Sequence, residues 1–339
     1  MSEQLLLVLT IFGALMYDFV NGFHDAANAI ATTIATHALS PRKAIIMART
    51  LNFFGGLLHT AVAYTIGKGV ISGDFVTLPM LLAAVTGAVL WGYFTWYFGM
   101  PSSSTHALIG GLIGVALYAS HFDTGVLVLS GLRKVILAMV ISPFAGLLFG
   151  MLILVGFSWT SWRVPYRRAS GFFKKLQVAS AAYMALTHGM NDAQSSMGII
   201  AVALFSAGAI QEFHIPLWVR FASAFVIGLG TSVGGWRIIK TMGKKLTKLH
   251  EPIDGCAAEV AAGSVIIACA LSGIPTSTTQ VVTGSIAGTA VAYRFSNIRW
   301  RVVRNIALAW VFTIAGAGLF GIGAYIVLGV LGARSPVGL

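Results

Sequence analysis

Two segments of this chain are near copies of each other, and they constrain the fold more than any other feature. Residues 99–116 read GMPSSSTHALIGGLIGVA, and residues 273–290 read GIPTSTTQVVTGSIAGTA, so Gly, Pro, Ser and Thr recur in register 174 positions later. A second pair of segments, NGFHDAANA at 21–29 and HGMNDAQSS at 188–196, is related by a shift of 167 positions. The chain is therefore a duplicated unit whose polar residues recur together.

The repeated segments are surrounded by apolar sequence of membrane-spanning length. Apolar runs cover 5–20, 44–66, 78–98, 135–157, 254–272 and 305–331, and a membrane helix needs about 20 residues. Only 9% of the residues are charged, whereas soluble domains carry roughly 25%. The first run has neither a basic flank nor a small-residue cleavage site, which favours a first span over a signal peptide. The sequence predicts an all-α polytopic membrane protein.

Most of the net charge of +12 lies in three short segments, at 159–176, 237–250 and 294–304. Clusters of Lys and Arg between apolar spans mark the cytoplasmic side, and they do not indicate nucleic acid because no soluble domain accompanies them. This assignment predicts both termini outside. It also gives the two copies opposite orientations, as in carriers with inverted repeats. We place the repeats at 1–158 and 177–339, joined by a basic cytoplasmic linker at 159–176.

Each repeat is predicted to contain one broken helix and one helical hairpin. We expect the breaks near Asn21–Gly22 and near His188–Gly189, because glycine weakens a helix. The hairpins cover 79–119 and 254–293 and enter the membrane from opposite faces. Their arms are long enough to be either re-entrant or fully spanning.

The hairpin motifs have the residue types of an anion site. Each has Gly-x-Pro followed by small hydroxyl residues; Pro suits the first helical turn, and Ser and Thr suit the cap. A helix is therefore expected to begin at each motif, where free N–H groups bind anions. Two tips from opposite faces would meet around one oxyanion, held by Ser102, Ser103, Ser104, Thr105, Thr276, Ser277, Thr278, Thr279 and Gln280. The alternative is helix packing by small residues.

The aspartate motifs have the residue types of a cation site. A carboxylate at membrane depth is costly and marks an ion or proton path. Spacings of four and three residues place Asn21, Asp25 and Asn28 on one helix face, and the second copy supplies Asn191, Asp192 and Ser195. H⁺ or Na⁺ at two such sites would offset the charge of an incoming anion. The alternative is an aspartate that only caps a helix.

Four further ionisable residues lie in the apolar segments. His24, His106, His188 and Glu259 are candidates for a proton relay, and purely structural hydrogen bonding is the alternative for each. Cys256 and Cys269 share one apolar segment and fit no metal spacing, so we predict no structural metal site and assign both to packing.

The segments GFHDAANAIAT, HGMNDAQSSMG, GMPSSSTHALIGG and GIPTSTTQVVTG resemble the duplicated signature of the inorganic phosphate transporter (Pit) family. The resemblance covers essentially the whole chain and is closest to the bacterial low-affinity phosphate permease type. It implies cation-coupled uptake of phosphate across the bacterial inner membrane, among lipid, with no cofactor besides the coupling ion. It further implies that Asp25, Asn28 and Asp192 bind the cation and that Ser103, Ser104, Thr105, Ser277, Thr278 and Thr279 bind phosphate.

Departures from the signature bear on the coupling ion and the substrate. His24–Asp25 resembles the proton-coupled bacterial branch, whose substrate can be a neutral metal–phosphate complex, whereas sodium-coupled relatives tend to carry Asn-Asp in both copies. Ser195 stands where Asn is expected, and Gln280 stands where His is expected. H⁺ is therefore favoured over Na⁺, and both stay open, as does a homodimer. Sulfate or another tetrahedral oxyanion is the alternative substrate.

Two other classes of protein fit the sequence poorly. An intramembrane hydrolase would use Ser103 or Ser104 with His106 and an Asp, but neither serine lies in a Gly-x-Ser-x-Gly elbow. It also has no Gly-x-x-x-x-Gly-Lys-Ser/Thr loop for ATP-driven transport. The sequence predicts a secondary transporter and not an enzyme.

Overall fold

A computed structural model of the protein describes residues 1–247, 249 and 251–333. Its α-helices are α1 Glu3–Ala35, α2 Pro41–Leu58, α3 Ala61–Gly69, α4 Leu78–Phe98, α5 Ser104–Ala119, α6 Leu129–Ser161, α7 Tyr166–Asp192, α8 Gln194–Ser206, α9 Leu217–Val233, α10 Trp236–Lys240, α11 Pro252–Leu271, α12 Thr278–Tyr293 and α13 Trp300–Val330. Within these ranges, extended pairing is limited to one isolated bridge between Ile71 and Leu127. The all-α prediction is confirmed.

Five of these helices are long and apolar enough to cross a membrane: α1, α4, α6, α11 and α13. Two bent pairs pass the same test when each is taken as one span. The helices α2 and α3 meet at 70°, and α9 meets the segment Trp236–Lys245 at 62°. Counting these pairs gives up to seven spans, so the protein is a multi-pass membrane protein.

The helix break expected near Asn21–Gly22 is wrong, because α1 runs without interruption from Glu3 to Ala35. Gly22 serves close packing instead: a Cβ there would lie 2.3 Å from the carbonyl oxygen of Ile227 on α9. In the second copy, a Cβ on Gly189 would lie 2.2 Å from the Asn52 carbonyl oxygen on α2. The break in that copy falls later, at Ala193 between α7 and α8. Both glycines therefore bring helices together and unwind neither.

The sharp bends lie in the helix that follows each aspartate motif. Between α2 and α3, the freed backbone is satisfied from the other half of the chain: the Gln194 side-chain oxygen accepts from the N–H groups of Val62 (2.7 Å) and Ala63 (3.1 Å). Between α9 and α10, Gly234 has a φ of 72°, a backbone conformation that glycine adopts without steric cost.

The two predicted hairpins are present, and each packs against the last helix of the other half. The first hairpin is α4 with α5, and the second is α11 with α12. The helix α13 packs along the first hairpin, and α6 packs along the second. The same exchange relates α1 to α9 and α7 to α2. This reciprocal packing supports the duplicated unit; the opposite orientation of the two copies stays a prediction.

Hydrogen bonds connect the segment 159–176 to Glu251, directly after the segment 237–250, and connect the segment 294–304 to Lys244 within it. The Tyr166 hydroxyl donates to Glu251 at 2.6 Å, and the Arg299 guanidinium donates to the Lys244 carbonyl at 3.2 Å. Elsewhere, the N-terminal ammonium of Met1 donates to the Gly332 carbonyl at 2.9 Å, so both ends of the described chain lie together. Most of the segment 159–176 is helical, since α6 ends at Ser161 and α7 begins at Tyr166. The repeat boundaries and the cytoplasmic face stay predictions.

Candidate functional site

The return helix of each hairpin begins at its hydroxyl-rich motif, as predicted. Ser103 caps α5 by accepting from the His106 N–H at 3.2 Å, and Ser277 caps α12 by accepting from the Gln280 N–H at 3.2 Å. The prolines were expected in the first helical turn, and this is wrong: each lies two residues before its cap, at 101 and 275. They lie in the short non-helical segment that precedes each helix.

The tips of the two hairpins meet on one carboxylate. The Ser104 hydroxyl, from the first tip, donates to Asp25 Oδ2 at 3.3 Å. The Thr279 hydroxyl, from the second tip, donates to Asp25 Oδ1 at 3.4 Å. Asp25 is 2% exposed, so the contact lies in the protein interior. The N-termini of α5 and α12 therefore both contact the same side chain, that of Asp25.

The two repeated aspartates lie in one buried cluster. One ligand atom each from Asp25, His188 and Asp192 lie within 4.8 Å of one another, and all three residues are buried. His188 Nε2 is 3.1 Å from Asp192 Oδ2. Two carboxylates at this separation repel by at least ~3 kcal/mol at an effective dielectric constant of about 20. The pair therefore favours a bound proton or cation.

Asparagine side chains connect the carboxylate pair to the second tip. Asn28 donates to the hydroxyls of Thr278 at 3.2 Å and Thr279 at 3.0 Å. Asn191 donates to Asp192 at 2.9 Å and to the Thr276 carbonyl at 3.1 Å. Thr278 in turn donates to Asp192 at 3.3 Å. The amide oxygens of Asn28 and Asn191 have no hydrogen-bond partner in the described chain, so both are free to accept.

His24 connects the first tip to the carboxylate pair. Its Nδ1 is 2.6 Å from Asp25 Oδ1, which is the distance of a hydrogen bond. Its Nε2 is 3.2 Å from the hydroxyls of both Ser102 and Thr95. A continuous hydrogen-bonded path therefore runs from a hydroxyl of the first tip to Asp25.

The remaining predicted residues are buried, with less direct relations to the cluster. The Thr276 hydroxyl pairs with Ser142 at 2.6 Å. Neither ring nitrogen of His106 has a hydrogen-bond partner within the described residues, which gives it no visible path to either aspartate. Residues buried in or beside the motifs are Asn21, Thr105, Ser195 and Gln280. The amide of Asn21 and the side-chain oxygen of Gln280 also have no partner among described residues.

Glu259 lies apart from the cluster in a network of its own. It accepts from Thr32 at 2.6 Å and Thr33 at 2.7 Å, both on α1. From α7 it accepts from Ser180 at 2.5 Å and Gln177 at 3.3 Å. Four donors therefore satisfy the Glu259 carboxylate. Two of them, Thr32 and Thr33, lie seven and eight residues after Asp25 on α1.

Sequence reasoning missed three side chains that complete the site and one carboxylate outside it. Thr95 and Ser142 form hydrogen bonds with the tip hydroxyls of Ser102 and Thr276. The Asn52 amide oxygen accepts from His188 Nδ1 at 3.2 Å, and its amide nitrogen donates to the Thr231 hydroxyl at 2.8 Å. Asp18 lies on α1, fully buried. Only Asp18 had a clear signal in the sequence: a carboxylate within an apolar run, seven residues before Asp25.

The geometry places anion-binding and cation-binding groups side by side. The N–H groups of Ser104, Thr105, Thr278 and Thr279 lie in the first turns of α5 and α12, where helices have no acceptor of their own. Such N–H groups and hydroxyls bind oxyanions, and the carboxylate pair next to them attracts cations. A polytopic helical protein with this buried site belongs to the class of membrane transport proteins.

Comparison with known proteins gives the family. Residues 21–321 match the Phosphate transporter family, and the chain belongs to it. A probable low-affinity inorganic phosphate transporter of Rhizobium meliloti (strain 1021) is 45% identical over 93% of this chain and 94% of its own length. One of the same description from Bacillus subtilis (strain 168) is 39% identical over 96% of this chain and 98% of its own. The family is one of transporters and not of enzymes, so the hydrolase alternative is set aside.

A solved structure shares the fold. The chain is similar to a protein described as the sodium-dependent phosphate transporter, with a TM-score of 0.88 and 21% identity over 96% of this chain and 99% of the other. The likeness extends over both halves of the chain, and it confirms the all-α membrane fold.

Proposed function

We propose that this protein carries inorganic phosphate across the bacterial inner membrane in symport with a cation, H⁺ in preference to Na⁺. The observation that carries the proposal is the meeting of Ser104 and Thr279, from opposite hairpins, on Asp25. Membership of the family and the descriptions of the relatives support phosphate as the substrate.

Phosphate is bound in this proposal by the two helix N-termini and their hydroxyls. Neither tip sequence, SSST or TSTT, contains Lys or Arg. Backbone N–H groups and hydroxyls supply many donors without a fixed positive charge, so the site does not hold the anion as tightly as an arginine pair does. A carrier gains from this, because it must also release its substrate.

Coupling follows from the hydroxyls that the two sites share. Ser104, Thr278 and Thr279 donate to the carboxylate pair. A cation or proton on the pair offsets the charge of these carboxylates and weakens the hydrogen bonds that they accept from the three hydroxyls. The hydroxyls then turn to the phosphate oxygens, and the charge of the anion is offset by the cation beside it. Cation binding thereby raises phosphate affinity, and linkage requires the reverse effect to be equal.

The choice of H⁺ rests on His24, whose ring lies between Asp25 and the Ser102 hydroxyl. A histidine in that position passes a proton along the path without leaving its place. The amide oxygens of Asn28 and Asn191 would favour Na⁺ instead, since hard cations prefer oxygen ligands. The substrate in the proton-coupled form is phosphate alone or its neutral complex with a divalent metal. Lipid surrounds the carrier. The mechanism works equally in a single copy and in a homodimer.

Purified protein in proteoliposomes tests the proposal. We expect uptake of labelled phosphate that is driven by an imposed H⁺ gradient, weakly competed by sulfate, and lost in Asp25→Asn and Asp192→Asn. Asp74→Asn makes the same change at an exposed position and serves as the matched control. Uptake driven only by Na⁺ would reverse the choice of ion. Full gradient-driven uptake in either site variant would disprove the role of the carboxylate pair.

A further inference from the structure

We infer that Asp18, together with Ser196 and Ser223, forms a second cation site, distinct from the carboxylate pair. The inference rests on the proposed function, because the ion it binds is the coupling ion. The site joins three helices: Asp18 comes from α1, Ser196 from α8 and Ser223 from α9. None of these three side chains takes part in the phosphate or carboxylate-pair contacts described above.

Asp18 is a buried carboxylate, and one of its two oxygens has no partner among the described residues. It is 0% exposed. Its Oδ2 accepts from the Ser196 hydroxyl, which lies 2.8 Å from the Ser223 hydroxyl. Its Oδ1 has no hydrogen-bond partner in the described part of the chain, and no Lys, Arg or His pairs with it there. Burying a charge without a partner costs several kcal/mol of folding free energy. A proton or cation bound at this oxygen removes that cost.

The position of Asp18 connects it to the carboxylate pair. It precedes Asp25 by seven residues on an unbroken helix, which places both on one face at a separation of ~10 Å. A cation at Asp18 therefore changes the field at the pair without touching it.

The second half of the chain has no equivalent of this site. The shift of 167 residues that relates the aspartate motifs places Ala185 opposite Asp18. The site is therefore not part of the duplicated design. Since all three groups offer oxygen and none offers nitrogen or sulfur, the ligand is a small hard cation, the same H⁺ or Na⁺ that the carrier couples to transport. Asp18 holds this ion two helical turns from the pair and adds one cation to each transport cycle.

The test is the number of cations bound with and without the Asp18 charge. Asp18→Asn keeps the shape and an acceptor for Ser196 but removes the charge. With purified protein and no phosphate present, equilibrium binding of radioactive sodium is expected to give one ion fewer for Asp18→Asn than for the wild type. If the wild type binds no sodium, the proton count per transported phosphate, read with a pH-sensitive dye in proteoliposomes, is expected to fall by one. An unchanged count in both measurements would overturn the inference.

Two further variants separate ion binding from a structural role. Ser223→Ala keeps the carboxylate and removes one ligand, so it is expected to raise the half-saturating cation concentration about tenfold, as for the loss of a charge-assisted contact. Thr10→Val changes a buried α1 hydroxyl that is bonded to its own helix at 2.7 Å and is expected to leave cation binding unchanged. If Asp18→Asn does not yield folded protein, an unchanged half-saturation in Ser223→Ala overturns the inference.

Failure of this inference is distinguishable from failure of the proposed function. Wild-type protein that does not transport phosphate would refute the function whatever Asp18 does. A wild type that transports phosphate, with Asp18→Asn keeping the same ion count, would refute the second site alone. Phosphate affinity at saturating cation is expected to change by less than about threefold in Asp18→Asn, because no tip group contacts this carboxylate.

Discussion

At the residue scale, the proposed mechanism assigns the exchange between cation and anion to hydroxyl groups. A serine or threonine hydroxyl is both a donor and an acceptor, so it can turn from a carboxylate to a phosphate without adding charge to the site. Thr279 is the residue where this matters most: it donates to Asp25 and accepts from Asn28. It therefore links the second tip to Asp25 and Asn28 of the first aspartate motif.

Thr279→Val keeps the shape of the side chain and removes its hydroxyl. We expect phosphate affinity to fall by about tenfold or more, since a hydrogen bond to a charged group contributes roughly 1.5–3 kcal/mol. Equilibrium binding of labelled phosphate at saturating cation measures the effect. Thr283→Val makes the same change one turn further along α12, at another buried position, and is expected to bind phosphate like the wild type. Equal affinities for the two variants would refute the role of Thr279.

Variants of the cap residues Ser103 and Ser277 distinguish two roles of the serine hydroxyl: capping the helix and donating to phosphate. Ser→Ala at either position removes both the cap and the donor, and loss of a cap destabilises a protein by about 0.5–2 kcal/mol. Ser→Gly removes the donor while costing only a few tenths of a kcal/mol in capping. We expect Gly and Ala variants to lose phosphate affinity equally, about tenfold or more, and only Ala variants to lose thermal stability. Recovery of affinity in the Gly variants would assign the whole effect to the cap.

At the scale of helices, the sequence predicted where helices begin but not where they bend. The tips were predictable because capping residues act on the next two or three N–H groups, a local relation. The bend between α2 and α3 was not, because its free N–H groups are satisfied by Gln194, which lies 132 residues from Val62. The role of Gly22 was misjudged for the same reason. A single sequence does not reveal which backbone lies opposite a glycine, and here it is that of α9.

Close packing at the two motif glycines is a testable property of these helices. Gly22→Ala and Gly189→Ala each place a methyl group against a backbone carbonyl, and we expect a destabilisation of at least ~1–3 kcal/mol. The apparent melting temperature in detergent measures it. Gly156→Ala lies on α6, where nothing approaches within 4 Å, and is expected to be neutral or slightly stabilising. If all three variants had the same melting temperature, close packing would not be the role of Gly22 and Gly189.

On the scale of the whole molecule, each half of the chain is completed by the other. The last helix of one half covers the hairpin of the other half, and the carboxylate pair takes one aspartate from each half. The duplication was readable from the sequence because the motifs recur in register. The joining of the two cation motifs into one cluster was not, since it depends on how two helices from different halves cross. Neither half holds a complete site alone.

Orientation in the membrane is the property of the whole molecule that the charge distribution predicts. Positively charged segments meet on one face through Tyr166–Glu251 and Arg299–Lys244, and such a face stays in the cytoplasm. In a background with Cys256→Ala and Cys269→Ala, we expect Asp74→Cys to react with an impermeant thiol reagent added to intact cells. Gly171→Cys, exposed beside the basic residues of α7, is expected to react only after permeabilisation. The opposite pattern would invert the protein in the membrane and place both termini in the cytoplasm. Reaction of both cysteines from outside would place the two positions on the same side, which the charge rule does not allow.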